Sequence, residues 1–230
     1  MISARCRVII PALNEEDAIA KVIADIPINI VEEIIVVDNG SSDKTMQVSA
    51  AAGASVLSEP LRGYGAACLK GIKYVKESAP DTEIIVFLDA DYSDHPEELA
   101  SVIEPIIKND IDMVIGSRAL GEREKGSLTP VQAFGNWLST KLIGLIYNAR
   151  FTDLGPFRAI KFDKLLSLNM QDKNYGWTVE MQIKAAKNKL SFTEVPVKYR
   201  HRIGKSKVSG TVMGSILAGH KILYTIFKNI

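Results

Sequence analysis

The sequence IIVFLDADYSDHPEE, residues 84–98, places two aspartates directly after an unbroken apolar run. Such a run without polar alternation is typical of a parallel strand that helices cover on both faces. Ligands of open α/β sheets bind outside the carboxyl ends of the strands, so we expect Asp89 and Asp91 to face a ligand crevice. Two carboxylates one residue apart suit a hard divalent cation, Mg²⁺ or Mn²⁺. The alternative is that Asp89 only ends the strand, Asp91 begins a turn and Pro96 opens the next helix.

The stretches on both sides of this run repeat a pattern of strand followed by helix. Short apolar runs at residues 7–10, 32–37 and 54–57 each precede a turn and a helical pattern, and another run lies at 112–115. This alternation predicts an α/β fold with a doubly wound, Rossmann-like and mostly parallel sheet flanked by helices. Right-handed crossovers then bring the carboxyl ends of these strands to one rim of the sheet.

After residue 118 the repeating unit ends. A charged, glycine-bearing stretch at residues 119–129 predicts a surface loop, and residues 131–147 carry apolar side chains at helical spacing. The remaining predicted elements are a strand at 157–160, a helix at 179–187, a strand at 192–199 and a last, amphipathic helix from about residue 212. We predict one domain over residues 1–230, with a first half at 1–118 and a second half at 119–230.

Composition and charge exclude several classes of protein. A chain of 230 residues with 47% hydrophobic and 24% charged residues predicts a globular protein with an ample core. The net charge of +1 predicts no nucleic-acid partner, although residues 198–207 hold five lysines and arginines and no acid. Cys6 and Cys68 lack metal-ligand spacing, which indicates reduced thiols in a cytoplasmic protein. We also expect no secretory signal and no membrane-spanning segment.

Polar residues at the predicted rim suit a ligand that has both a ring system and phosphates. Asp38 ends the second predicted strand and can accept hydrogen bonds from a ribose or a nucleobase. Arg202 and Lys207 in the basic loop can balance a pyrophosphate, and Arg118 follows the fifth strand. Each has a structural alternative: Asp38 as a turn acid, Arg118 in a surface ion pair, and the basic loop as a solvated face. Their coincidence on one rim favours a functional site.

Six motifs, in order along nearly the whole chain, resemble those of the family 2 glycosyltransferases of the GT-A fold. They are PALNEE (11–16), VVDNGSSDKT (36–45), GYGAA (63–67), LDADYSDHPEEL (88–99), GSR (116–118) and EVPVKYRHRIGKSK (194–207). Within that family the chain is similar to the dolichyl-phosphate, or polyprenyl-phosphate, mannose and glucose synthases. The resemblance implies an inverting transfer of a hexose from a nucleotide sugar, with Mg²⁺ or Mn²⁺ as cofactor.

The resemblance also implies a role for each matching position. The donor-binding set consists of Pro11, Leu13, Glu15, Asp38, Asp89, Ala90 and Lys207. Asp91 binds the metal with Asp89 beside it, and the catalytic arginines Arg118 and Arg202 face the phosphates or the acceptor. The pair at residues 93–94 is Ser-Asp where the mannose synthases have Gln-His, which favours a UDP-hexose over GDP-mannose.

The acceptor decides whether the reaction needs a base. A lipid phosphate is anionic near neutral pH and needs only cations to align it, whereas a hydroxyl needs a carboxylate to take its proton. Asp153 is the candidate base, so we expect Asp153→Asn to retain turnover with polyprenyl phosphate. Three alternatives stay open: transfer to a saccharide or small-molecule hydroxyl, nucleotidyl transfer, and a catalytically silent nucleotide-sugar-binding protein. For nucleotidyl transfer, the acidic PALNEE stretch stands where a glycine-rich basic loop is needed.

Two apolar helical stripes predict the acceptor surface. The helix at residues 131–147 carries Phe134 and Trp137 beside its stripe, and the last helix combines a broad apolar band with Lys221 and Lys228. Together with the basic loop, these faces can lie on an anionic membrane surface and receive a lipid tail. The alternative is that both stripes pack on the core or form a homodimer contact.

Overall fold

The protein is seen here in a computed structural model that describes residues 4–204 and 212–230, with only the backbone described at 212–216. The strands are β1 (Cys6–Ala12), β2 (Glu33–Asp38), β3 (Ser55–Ser58), β4 (Ile84–Phe87), β5 (Met113–Ser117), β6 (Arg158–Lys161) and β7 (Phe192–Pro196). The helices are α1 (Ile19–Asp25), α2 (Thr45–Ala51), α3 (Tyr64–Ser78), α4 (Leu99–Asn109), α5 (Pro130–Tyr147), α6 (Phe162–Ser167), α7 (Trp177–Lys187) and α8 (Val212–Lys228).

The strands form one seven-stranded sheet in the order β3-β2-β1-β4-β6-β5-β7. Pairing is parallel throughout except at β6, which runs antiparallel to both of its neighbours, β4 and β5. The expected mostly parallel α/β sheet is therefore confirmed. Because β6 comes from the second half of the sequence and separates β4 from β5, the two predicted halves are interleaved in one sheet.

The burial of β4 explains its unbroken apolar run. Ile85 and Phe87 lie in the core cluster that includes α3, α5 and α7 side chains, while Ile84 and Val86 lie in the cluster that includes α1 and α4 side chains. Successive side chains of a strand point to opposite faces, so a strand covered on both faces needs apolar residues at every position. This run brings the aspartates that follow it to the carboxyl edge of the sheet.

Most predicted elements are present with small differences at their ends. The predicted strand at residues 192–199 ends at Pro196, and α6 was not predicted. Residues 119–129 lie between β5 and α5 without a helix or strand, as expected. Among the described residues, no helix has the length and apolar character needed to cross a membrane.

The turn before α3 depends on two glycines that let another part of the backbone approach closely. Gly63 has a φ of +141°, and a Cβ there would lie 2.0 Å from the Lys173 carbonyl oxygen. A Cβ at Gly65 would lie 2.0 Å from the Asp172 carbonyl oxygen. Without side chains here, the Ala66 amide donates to Lys173 O at 3.0 Å. The glycines thus hold residues 171–176 against the start of α3, beside the rim of the sheet.

Candidate active site

A cavity of about 280 Å³ opens at the carboxyl ends of β1, β2 and β4, and we call it the rim cavity. Its wall combines the predicted Pro11, Leu13 and Glu15 with residues that follow β2, β3 and β4 and with part of the 171–176 segment. Its lining residues after β2, after β3 and after β4 are, in that order, Asn39; Arg62, Gly63, Tyr64 and Ala67; and Asp89, Ala90 and Asp91. The sheet therefore brings most of the predicted donor-binding residues together.

A second cavity of about 510 Å³ adjoins the first, and we call it the helix cavity. Arg118 lies in its wall, together with largely apolar residues of α5, α7 and α8. The two cavities share five lining residues, which are Tyr64, Asp89, Asp91, Tyr175 and Arg202. A molecule in one cavity and a molecule in the other would therefore meet at the two aspartates.

Asp91 is buried, and protein groups contact both of its carboxylate oxygens. Oδ1 accepts hydrogen bonds from the Ser93 amide at 2.9 Å and the Ser93 hydroxyl at 2.5 Å. Oδ2 lies 3.0 Å from Nη1 of Arg202, whose Nη2 lies 2.7 Å from Glu15 Oε1. Arg202 thus joins the start of the chain to the aspartate pair and lines both cavities.

Asp89 has a different environment from Asp91. Its Oδ1 is buried and has no hydrogen-bond partner among the described residues. Burial, and next the nearby Asp91 charge, raise the pKa of Asp89 to about 7. A cation beside this pair would remove the repulsion between the two carboxylates and supply the missing partner, so the donor set fits Mg²⁺ or Mn²⁺.

The protein alone does not complete the coordination shell of such a cation. In the parts of the chain that the structure describes, no three His, Cys, Asp or Glu side chains form a metal-binding group. Asp89 and Asp91 would therefore supply two of the usual six oxygen ligands of Mg²⁺, and a ligand or water would supply the others.

The structure places Asp153 in a different role from the predicted base. Its carboxylate is buried and accepts three hydrogen bonds from Arg118: from the amide at 2.7 Å, Nε at 2.8 Å and Nη2 at 2.7 Å. Burial acts to raise the pKa of Asp153, but the Arg118 charge and hydrogen bonds outweigh it and lower the pKa. Asp153 also lines neither cavity. An ionised, fully engaged carboxylate is poorly placed to take a proton, so its evident role is to orient Arg118.

Of the two remaining predicted donor-binding residues, only Asp38 can be placed. Asp38 ends β2 but does not line the rim cavity: its Oδ2 accepts the amides of Gly40 and Ser41, each at 3.1 Å. Asp38 Oδ1 is buried and has no partner among residues that the structure describes. Lys207 lies outside the described residues.

Comparison of the sequence with models of protein families shows to which family a chain with these two cavities belongs. The model of glycosyl transferase family 2 matches residues 7–167, which include β2 to β6, all of β1 except Cys6, and both aspartates. The chain belongs to glycosyltransferase family 2. The prediction of a glycosyltransferase is thereby confirmed, and the alternatives of nucleotidyl transfer and silent binding are not needed to explain the site.

Several relatives match this family 2 glycosyltransferase over nearly its whole length. An uncharacterized glycosyltransferase of Mycobacterium tuberculosis is 34% identical over 213 residues, covering 92% of this chain and 93% of that protein. The UDP-N-acetylglucosamine–dolichyl-phosphate N-acetylglucosaminyltransferase of Methanococcus voltae is 30% identical over 239 residues, covering 95% and 93%. The crystal structure of M. tuberculosis glucosyl-3-phosphoglycerate synthase with Mn²⁺, UDP and phosphoglyceric acid has a TM-score of 0.79 at 22% identity, covering 99% of this chain and 78% of that one. The GT-A fold is confirmed.

Some residues of this glycosyltransferase site were not predicted. Tyr175 lines both cavities, yet it lies far from the family motifs and comes to the site only because of the close approach at Gly63 and Gly65. Arg62 directly precedes the GYGAA motif, and that position is the one signal that could have identified it. Asp94 lines neither cavity, but it is buried with no partner for either carboxylate oxygen among the described residues, and burial followed by the Asp89 charge raises its pKa well above the usual range.

Arg200 was also missed, and it fixes the segment that carries Arg202. Its guanidinium stacks on the Tyr92 ring at 3.5 Å from the centroid, and its Nε donates to Tyr92 O at 2.8 Å. The Arg200 amide donates to Ser93 O at 3.0 Å. These contacts hold the segment against the turn after β4 and so bring Arg202 to Asp91.

Proposed function

We propose that this enzyme transfers a hexose, with inversion, from a UDP-hexose to a polyprenyl or dolichyl phosphate. The observation that carries the proposal is the helix cavity, because its largely apolar wall ends at Arg118 and at the aspartates of the rim cavity. Such a cavity suits an acceptor with a hydrocarbon tail and an anionic head. The proposal also draws on the M. voltae relative, whose name states a UDP-sugar donor and a dolichyl-phosphate acceptor.

On the donor side, the rim cavity supports a nucleoside diphosphate. The rim cavity, of about 280 Å³, has room for part of a nucleoside diphosphate, and the guanidinium groups of Arg62 and Arg202 lie in its wall. Asp38 itself does not line this cavity, but Asn39 directly after it does, and Asp38 Oδ1, buried without a partner among the described residues, is the acceptor we propose for a nucleobase N–H at this end of the cavity. UDP is bound in the glucosyl-3-phosphoglycerate synthase structure, which supports a uridine nucleotide here.

We propose that Asp89 and Asp91 hold Mg²⁺ or Mn²⁺ together with the donor diphosphate. When bound, such a cation stabilises the negative charge that develops on the leaving diphosphate. Arg202 lies between the cavities and supplies a second positive charge at the same place. The Mn²⁺ and Mg²⁺ complexes of glucosyl-3-phosphoglycerate synthase support this cofactor.

On the acceptor side, Arg118 is the group that aligns an anion. Asp153 fixes the guanidinium through Nε and Nη2, and Tyr199 lies 5.0 Å from it, measured to the ring centroid. A phosphate oxygen held there needs no base to attack the anomeric carbon, whereas a hydroxyl would need one. The engagement of Asp153 with Arg118 therefore favours the phosphate acceptor over the hydroxyl acceptor.

Titration calorimetry with UDP-glucose, UDP-N-acetylglucosamine and GDP-mannose, each with and without Mn²⁺, tests the donor. We expect Mn²⁺-dependent binding of a UDP-sugar, at least about tenfold tighter than GDP-mannose. The same donor is then incubated with polyprenyl phosphate or with 3-phosphoglycerate. Transfer to the lipid phosphate alone supports the proposal, and transfer to 3-phosphoglycerate alone replaces it with a hydroxyl acceptor. Tighter binding of GDP-mannose would overturn the choice of donor.

We further propose that α5 and α8 bring the enzyme to an anionic membrane surface. Phe134 and Trp137 of α5 are 60% and 54% exposed, and their tilted rings contact each other with centroids 5.8 Å apart. Leu217, Tyr224 and Phe227 of α8 are also exposed. Neither helix sequence contains an acid, and both contain lysine. Ile143 of α5 and Ile226 of α8 are buried in the core, so part of the apolar face of each helix packs on the protein itself. The exposed part of each face is available to lipid.

Vesicle flotation tests this membrane proposal. We expect the wild-type enzyme to float with vesicles of anionic lipid, and the double variant Phe134→Ser/Trp137→Ser to float at least about fivefold less, because it loses two interfacial aromatic anchors. Ile28→Ser is the matched control, since Ile28 is 79% exposed and lies outside both helices. Equal flotation of the double variant and the control would overturn the proposal. A homodimer in which Phe134 and Trp137 form the contact would also overturn it.

A further inference from the structure

Arg202 is paired with the carboxylate of Asp91, which the proposed function needs to be accessible to a divalent cation. Its Nη1 is 3.0 Å from Asp91 Oδ2, and the other Asp91 oxygen already accepts two hydrogen bonds from Ser93. The Ile203 amide donates to Asp91 O at 2.9 Å, so the backbone beside Arg202 is fixed to the same residue. A divalent cation that binds Asp91 through Oδ2 must therefore compete with this guanidinium.

The second contact of Arg202 keeps the side chain in place for this competition. Nη2 lies 2.7 Å from Glu15 Oε1, and both Glu15 and Asp91 are buried. The Nε atom is buried and has no partner among the described residues, so one donor of the guanidinium remains for another ligand. Arg202 also lines the rim cavity, where a diphosphate would present several anionic oxygens to it.

We infer that Arg202 is an internal counter-ion of Asp91 that gives up this carboxylate when the donor diphosphate arrives, so that cation and donor bind cooperatively. The inference rests on the proposed function, because it assumes that a divalent cation and a nucleoside diphosphate share this site. Without the diphosphate, the ion pair with Arg202 opposes cation binding. With the diphosphate, Arg202 has a new anionic partner and Asp91 becomes available to the cation.

The test measures Mn²⁺ binding directly, from the loss of the free Mn²⁺ electron paramagnetic resonance signal, with and without UDP. For Arg202→Met we expect Mn²⁺ alone to bind about five- to tenfold more tightly than to the wild type, because the competing cation is gone. The factor by which UDP tightens Mn²⁺ binding should fall by a similar amount, and linkage requires the same fall in the effect of Mn²⁺ on UDP.

Two variants separate this competition from general electrostatics. Arg62→Met removes an exposed arginine from the same cavity wall, one that forms no ion pair among the described residues, and we expect it to change the affinity for Mn²⁺ alone by less than about twofold. Arg202→Lys keeps the charge without the two-pronged geometry, and we expect an affinity between those of wild type and Arg202→Met. Thermal unfolding of each variant verifies that it is folded.

Each outcome decides the inference. Tighter binding of Mn²⁺ alone in Arg202→Met but not in Arg62→Met, together with a smaller UDP effect in Arg202→Met than in the wild type, supports it. Equal Mn²⁺ affinities of the two methionine variants overturn the role of Arg202 and leave the proposed function standing if the wild type binds Mn²⁺ and UDP cooperatively. A folded wild type that binds neither Mn²⁺ nor UDP overturns both.

Discussion

Asp91→Asn should lower hexose transfer by about 10³-fold or more, because an amide oxygen without negative charge binds a divalent cation poorly and no longer stabilises the leaving diphosphate through it. The fold should remain, since the amide oxygen of asparagine can still accept the hydrogen bonds from Ser93. The measurement is the rate of transfer from the best donor at saturating Mn²⁺, accompanied by thermal unfolding of the variant.

Asp81→Asn is the matched control for this change. Asp81 is about half exposed and pairs with Arg5 at the surface, away from both cavities. We expect it to keep nearly all activity. Transfer by folded Asp91→Asn within about tenfold of the wild-type rate would contradict the metal-binding role of Asp91.

Asp153→Asn should reduce the free energy of unfolding by about 3–5 kcal/mol, because it leaves the Arg118 guanidinium without its counter-charge in a buried position. The Asp153 side chain is 2% exposed and the Arg118 side chain 12% exposed, so solvent screens the pair little. This expectation concerns stability, and the sequence-based expectation of retained turnover with polyprenyl phosphate stays a separate prediction. The measurement is chemical denaturation near neutral pH, with Asp163→Asn, at an exposed aspartate, as the control that should change stability by less than about 0.5 kcal/mol.

The pH dependence of Asp153→Asn has a definite sign. The folded-state pKa of Asp153 is below its unfolded value, so the pair stabilises the folded protein above about pH 4, where the unfolded carboxyl is ionised. This contribution is lost as the pH falls toward the folded-state pKa. The stability difference between wild type and variant should therefore shrink in acid.

A double variant keeps this prediction testable if the single variant does not fold. Arg118→Met/Asp153→Asn removes the charge on both sides and should be more stable than Asp153→Asn alone, since it leaves no unpaired buried ion. A double variant that is less stable than the single one would contradict the account of the pair.

The sequence predicted β4 and its two aspartates because a strand buried on both faces leaves an unmistakable apolar run. The direction of β6 could not be predicted in the same way. Its four-residue sequence does not indicate whether it runs parallel or antiparallel to its neighbours β4 and β5. Asp153 was interpreted as a base because a sequence shows a carboxylate but not its partner, and Arg118 lies 35 residues away. Tyr175 was missed because its place in the rim cavity depends on a backbone contact at Gly65.

The position of β6 also has a consequence for how the enzyme matures during synthesis on the ribosome. When β5 leaves the ribosome, its neighbour β6 has not yet been made, and β5 pairs directly with β6 and β7 rather than with β4. The first 118 residues can therefore complete only β1 to β4 of the sheet. The wall of the rim cavity is also incomplete until Tyr175 and Arg202 have been synthesised. The nascent chain thus acquires its donor site only after Arg202 has emerged, by which point α5 and α7 of the helix cavity have emerged as well.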